Sequence, residues 1–141
     1  MSTISKVVHP LAETLIIGGG PGGLATALGL ARARRQVIIF DSGKYRNGHV
    51  QHMHNVNTWD HANPASFRAA ARRELLDGRY NTVKLQNVAI TNVTKRSDGI
   101  FEATDARDET WLGKTLVLAS GVTDVMPDLP GYRECWESNK M

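Results

Sequence analysis

Thr14-Leu15-Ile16-Ile17-Gly18-Gly19-Gly20-Pro21-Gly22-Gly23-Leu24-Ala25 is the stretch from which the fold is read. Residues 14–17 are β-branched or aliphatic and read as a short buried strand. The next six positions hold five of the chain's 13 glycines. Gly18, Gly20 and Gly23 have the G-x-G-x-x-G spacing, with Gly22 in the same bend. In that pattern the first glycine permits a tight turn out of a strand. The second lets backbone approach a diphosphate, and the third lets helix and strand pack closely. Residues 24–35 read as the helix, rich in alanine, with Arg32, Arg34 and Arg35 at its negative end. A diphosphate would sit on the free N–H groups at the helix start. Residues 37–40 are apolar throughout and form a second strand, ending at Asp41, 18 residues beyond Gly23. A carboxylate there can accept hydrogen bonds from ribose hydroxyls. Strand, turn, helix and strand make one βαβ unit with parallel strands and a right-handed crossover. The blander alternative is a ligand-free glycine turn with Asp41 as a turn former.

Working outward, residues 42–61 show neither helical nor strand period and contain four of the five histidines. A structureless stretch of that length is uncommon in a compact domain and is usually functional or mobile. Asn63-Pro64 has the form of an N-cap followed by proline at the first helical position. The helix carries an apolar stripe of Phe67, Ala70, Ala71, Leu75 and Leu76 and stops near Asp77-Gly78. From Thr82 the period shifts toward two, with a turn at Ser97-Asp98-Gly99. Residues 101–104 should pair back antiparallel, and residues 111–119 form a further strand running into Ser120-Gly121. The fold class expected is α/β: a Rossmann-like βαβ parallel sheet with an added antiparallel β-meander. Residues 1–13 read as a loosely ordered polar leader, 14–131 as the dinucleotide-binding domain and 132–141 as a tail.

A chain of 141 residues fits one domain. The net charge of +3 is uneven: residues 1–80 carry 10 basic and 5 acidic side chains, residues 81–141 carry 7 and 9. The basic excess accompanies the glycine segment and suits an anionic small ligand. No basic run is interleaved with aromatics, so nucleic acid is not expected. The longest apolar runs, 15–17 and 116–119, fall far short of a membrane span. Nothing in residues 1–10 resembles a signal peptide, and the single cysteine excludes an intramolecular disulfide. A reducing cytoplasmic setting is therefore expected.

His49, His52, His54 and His61 share one loop. They could shape the loop beside a ligand, perform acid/base work or offer nitrogens to a metal. The spacing of His49, His52 and His54 matches no strong zinc pattern, so no metal is expected. If the chain catalyses a non-redox step, His52 and His54 are the candidate catalytic residues. Cys135 has no triad spacing around it and reads as an inert thiol.

Leu15-Ile16-Ile17-Gly18-Gly19-Gly20-Pro21-Gly22-Gly23-Leu24-Ala25 resembles the FAD-binding start of the pyridine nucleotide-disulphide oxidoreductases. The resemblance is to the fungal thioredoxin reductase-like flavoproteins among them, which include thiol oxidases of secondary metabolism. Phe40-Asp41-Ser42-Gly43-Lys44-Tyr45-Arg46-Asn47, His52-Met53-His54-Asn55, residues 67–75 and Pro127-Asp128-Leu129-Pro130-Gly131-Tyr132 fit the same group. The likeness runs from about residue 13 to about residue 136. It implies FAD as cofactor. Gly18, Gly20, Gly22 and Gly23 would cradle its diphosphate, and Asp41 would hold the adenosine ribose. Val88 would lie beside the adenine through its backbone. Arg46 and the segment to Asn55 would run along the ribityl and flavin end. Leu118-Ala119-Ser120-Gly121 resembles the family's second FAD signature, with Ser120 in place of the usual threonine.

The family's redox Cys-x-x-Cys pair and its NADPH domain have no counterpart in these residues, and neither has the C-terminal segment that closes over the flavin. The resemblance therefore implies a thioredoxin reductase-like FAD or adenine-nucleotide module, truncated within the FAD domain and unable alone to reduce disulfides with NADPH. The alternatives are an isomerase or cyclase acting on a small natural product in a vacated flavin cleft, or an inactive scaffold. The missing segment implies an exposed apolar face, covered in a homo-oligomer or by a partner protein.

Overall fold

In the computed structural model, residues 7–137 are described. The elements in chain order are β1 (Ala12–Ile17), α1 (Pro21–Arg32), β2 (Val37–Phe40) and α2 (Pro64–Leu76). They are followed by β3 (Val83–Gln86), β4 (Ile90–Lys95), β5 (Phe101–Asp105), β6 (Thr110–Leu118) and α3 (Tyr132–Glu137). The six strands form one sheet in the order β3-β2-β1-β6-β5-β4. β1, β2, β3 and β6 run parallel, whereas β5 and β4 fold back antiparallel from β6. This is the expected α/β class: a Rossmann-like parallel sheet carrying an antiparallel meander.

Alternation along the strands divides the core in two. Ile16 and Ile39 point to the face covered by α1 and α2, where Leu24, Ala27, Ala31, Leu75 and Val83 complete one cluster. Leu15, Ile38 and Phe40 point to the other face, against Val88, Ala103 and Trp111. Gly113 on β6 is part of that packing, because a Cβ there would stand 2.5 Å from Leu15 Cγ.

Several boundaries differ from the sequence reading. The described part of the supposed loose leader is tied down. Val8 bridges Thr110 in parallel, and His9 stacks on Trp111 at 3.4 Å between centroids while its Nε2 lies 2.7 Å from Glu109. Residues 1–6 lie outside the described residues. α1 begins at Pro21, three residues before the expected start, so the glycines are its first turn. It ends in a Schellman turn: Arg34 at φ 57° donates to Ala31 and Arg35 donates to Leu30.

α2 starts where expected, with the Asn63 side chain accepting from the Ala65 amide at 2.8 Å. Its inner face matches the expected stripe at Leu75, with Phe67, Ala70 and Ala71 half-buried, but not at Leu76. Pro64, Arg68 and Leu75 are buried, and Leu76 is exposed. Part of the expected tail is the short helix α3; residues 138–141 lie outside the described residues. Among the described residues, no helix is long and apolar enough to cross a membrane.

Candidate functional site: a glycine cleft at the C-terminal ends of the parallel strands

The carboxyl ends of β1, β2 and β6 open onto a cleft of about 1060 Å3. This is the position where open α/β sheets bind ligands. β1 delivers Gly18 into the cleft between its two neighbours. The Gly18 amide donates to Phe40 at 2.9 Å, and Ala119 donates to Ile17 at 2.8 Å.

The glycines of the turn fall into two kinds. At Gly18, with φ 120°, a Cβ would run into the Ala119 carbonyl. At Gly23 it would run into the Gly18 carbonyl, and at Gly19 into the Asp41 carboxylate. These three are required by the protein's own packing. At Gly20 and Gly22 a Cβ would meet open space. Their bareness leaves room for something other than this chain.

The start of α1 is unfinished in the same direction. Gly20 is its N-cap, no side chain caps it and no acid lies in its first turn. Pro21 has no N–H, and the first amide bonded back into the helix is that of Leu24, to Gly20 at 3.0 Å. The amides of Gly19, Gly20, Gly22 and Gly23 find no acceptor among the described residues. Four orphan donors with the positive end of the helix dipole behind them form an anion cradle.

Asp41 lies at the cleft and is buried, but its carboxylate is already engaged. Oδ1 accepts from the Gly43 amide at 2.9 Å. Oδ2 accepts from the Tyr45 hydroxyl at 2.6 Å and pairs with Arg72 from α2. A carboxylate offers about four acceptor positions, so Oδ1 retains one for a ribose hydroxyl. The neighbouring Arg68 lies over the Tyr45 ring at 3.8 Å and donates to Asn47 Oδ1 at 2.9 Å. Two α2 arginines thus fix the loop that carries the acid.

Arg46 closes one side of the cleft. Its Nε and Nη2 reach the two oxygens of Asp124 at 2.9 and 3.1 Å, joining the loop after β2 to the segment after β6. Those hydrogen bonds, and the charge of Asp124, hold the Arg46 guanidinium above its usual pKa. Val88 also lines the cleft, and its amide and carbonyl make no hydrogen bond to the described residues. Ala119, Ser120 and Gly121 line the floor beside the glycine turn.

The structure therefore brings the expected cofactor-binding residues together around one cleft, apart from Gly23, which sits beneath it under Gly18. It does not bring His52 and His54 there. His49 lines the cleft, whereas the ring of His52 points its Nδ1 at the His61 carbonyl, 2.9 Å away, and His54 packs edge-on against His61. Neither His52 nor His54 is among the residues that line the cleft. Not singled out by the sequence reading are Tyr45, Arg72 and Asp124, which hold Asp41 and Arg46, and Arg133 and Trp136 of α3, which line the cleft. Tyr45 stands four residues after Asp41 and Arg68/Arg72 share one helical face, so those signals were present. The pairing of Arg46 with Asp124, 78 residues apart, left no local trace.

Residues 12–140 match the pyridine nucleotide-disulphide oxidoreductase family. The chain is 58% identical over 127 residues to thioredoxin reductase aclD of Aspergillus oryzae, covering 90% of this chain and 40% of that protein. It is 46% identical over 127 residues to thioredoxin reductase tcpT of Claviceps purpurea, covering 89% and 39%. Among solved structures, an oxidoreductase from Agrobacterium tumefaciens superimposes with a TM-score of 0.82 at 34% identity, covering 89% of this chain and 41% of that one. The chain spans about 40% of the length of the curated relatives it matches.

Proposed function

Because the chain belongs to the pyridine nucleotide-disulphide oxidoreductase family, we propose that its cleft holds FAD and that it serves as the cofactor-holding module of a thioredoxin reductase-like flavoprotein. The observation that carries this reading is the uncapped first turn of α1, with four amides lacking acceptors beside two glycines whose missing side chains face open space. A diphosphate fits those donors. The amides of Gly20 and Gly22 would hold it, and the remaining lone pair of Asp41 Oδ1 would take a ribose hydroxyl. The unpaired amide and carbonyl of Val88 would face the adenine edge, while Arg46, Ala119, Ser120 and Gly121 would line the path toward the flavin.

Bound FAD supplies two-electron redox chemistry. This chain's residues position it and keep its charged diphosphate in a field of amide donors. With one cysteine in the sequence, the chain cannot form a redox dithiol within itself. Disulphide chemistry would need thiols from elsewhere, consistent with a module spanning about 40% of its relatives. The secondary-metabolic and cytoplasmic setting belongs to the same proposal, supported by the resemblance to fungal thioredoxin reductases and by cysteine usage.

The segment after β6 supports a partner. Val125 and Leu129, which do not line the cleft, are exposed, Val125 at 93%. A second copy or another polypeptide would cover them, and light scattering at micromolar concentration should give a mass above 15.5 kDa. A strict monomer with no captured chain would argue against it. Reconstitution tests the cofactor: unfolded and refolded protein mixed with FAD should retain the yellow chromophore through desalting, and excess ADP should displace it. Failure to retain flavin or to bind ADP would overturn the reading.

A further inference from the structure

The loop between β2 and α2 gathers a second set of donors, outside the cleft. His54, Asp60 and His61 each place a donor atom, a ring nitrogen or a carboxylate oxygen, within 4.8 Å of the other two. His54 Nδ1 lies 3.6 Å from Asp60 Oδ1, and His61 Nε2 lies 3.7 Å from Asp60 Oδ2. Both separations are too long for hydrogen bonds. Each is close to the ~3.4 Å that separates two ligands held ~2.1 Å from one tetrahedral ion, each ring facing a different oxygen of the Asp60 carboxylate. The rings meet edge to face, 4.6 Å between centroids, with the carboxylate beside them.

The donors are also held in place. His61 donates to Met53 at 2.8 Å and Met53 donates to Ala62 at 2.9 Å, which clamps the two ends of the loop together. The Asn55 amide donates to Asp60 Oδ1 at 3.1 Å and fixes the carboxylate. Met53 is buried, and Trp59 packs edge-on against Phe67 of α2, which anchors the loop to the domain. Asn55, Thr58 and His61 all adopt positive φ, between 62° and 68°, a conformation that folds the chain back so that positions 54 and 61 meet.

We propose that His54, Asp60 and His61 form a binding site for one divalent transition metal ion, of the class that prefers imidazole and carboxylate together, with zinc as its representative. The set is not the His49, His52 and His54 spacing visible in the sequence. It needs the fold to bring position 54 against 60–61. All three side chains are exposed, so the ion enters without opening the structure, and its remaining positions take water. The ion would staple the loop that links the cleft residues Arg46 and His49 to the N-cap of α2.

The test uses the full chain, stripped with chelator and desalted, then titrated with zinc by calorimetry and with cobalt by visible absorption. One ion per chain should bind with a micromolar dissociation constant, and zinc should raise the thermal midpoint. His54→Ala, Asp60→Asn and His61→Ala should each weaken binding at least about tenfold, the smallest loss seen even for outer-shell partners. His49→Ala and Cys135→Ser should titrate like the parent. Absence of saturable binding below 100 µM zinc would overturn the site. So would binding that survives the double replacement of His54 and His61, or that vanishes with Cys135→Ser.

Discussion

At the antiparallel end of the sheet, Asp105 is wholly buried and its two oxygens collect four donors: the amides of Arg107 and Glu109, the Arg107 guanidinium and the Trp111 indole. At the parallel end, the first turn of α1 presents amides that nothing among the described residues accepts. One sheet thus carries a polar network completed by the chain itself and another left open. α2 shows that the chain can finish a helix start, because Asn63 caps it. Leaving buried donors unmet costs about 1–3 kcal/mol each. In the proposed function a diphosphate meets the donors of the open turn.

The largest effects should come from the glycines that the packing requires. Gly18→Ala and Gly23→Ala each force a Cβ into a backbone carbonyl, and Gly18 adds a positive φ. Each should cost about 3 kcal/mol by urea denaturation. Gly22→Ala should leave stability unchanged or raise it by up to about 1 kcal/mol, since alanine is the better helix former. Its effect should appear in nucleotide binding instead. Equal losses of stability at Gly22 and Gly23 would erase the distinction between the two kinds of glycine.

Next in size is the closed network. Asp105→Ala strands two amides and the Trp111 indole, and about 2–3 kcal/mol should be lost. Burial alone would push the Asp105 carboxyl up, but hydrogen bonds from Trp111, Arg107 and Glu109 outweigh it and bring the pKa below the ordinary value of 3.8. With the folded value depressed, the stabilisation is present above pH 3.8 and drains away as pH falls below it toward the folded value. The urea midpoints of the parent and Asp105→Asn should therefore converge as the pH falls below 3.8. A gap that stays constant as the pH is lowered through that value would show that the carboxylate's charge is not what the network holds. The smallest effect belongs to α2, where Asn63→Ala should cost about 1 kcal/mol without changing nucleotide affinity.

Much of this was legible beforehand, for local reasons. Residues 37–40 form the strand their apolar run announces, Asn63-Pro64 starts α2, and Gly99 closes the β4–β5 turn at φ 85°. The early start of α1 was hidden, because Pro21-Gly22-Gly23 has poor helix propensity and is held helical by packing over Gly18. The inward turn of two α2 arginines is hidden for a comparable reason. Hydrophobicity favours Phe67 and Leu76, yet Arg68 and Arg72 turn inward to reach Asn47, Tyr45 and Asp41, partners that lie more than 20 residues away. The ordered start of the chain depends on Trp111 and Thr110, about 100 residues further on, and leaves no mark in residues 7–11.

The sharpest test closes the open turn with the chain's own atoms. In Gly20→Asp the new carboxylate faces open space beside the free amides of Gly22 and Gly23 and should cap α1 as Asn63 caps α2. Calorimetric titration with ADP should show one site per chain in the parent and none in the variant, with the variant as stable as the parent or up to about 1 kcal/mol more so. Parent protein that ignores ADP, or a stable Gly20→Asp protein that binds it equally well, would contradict the account.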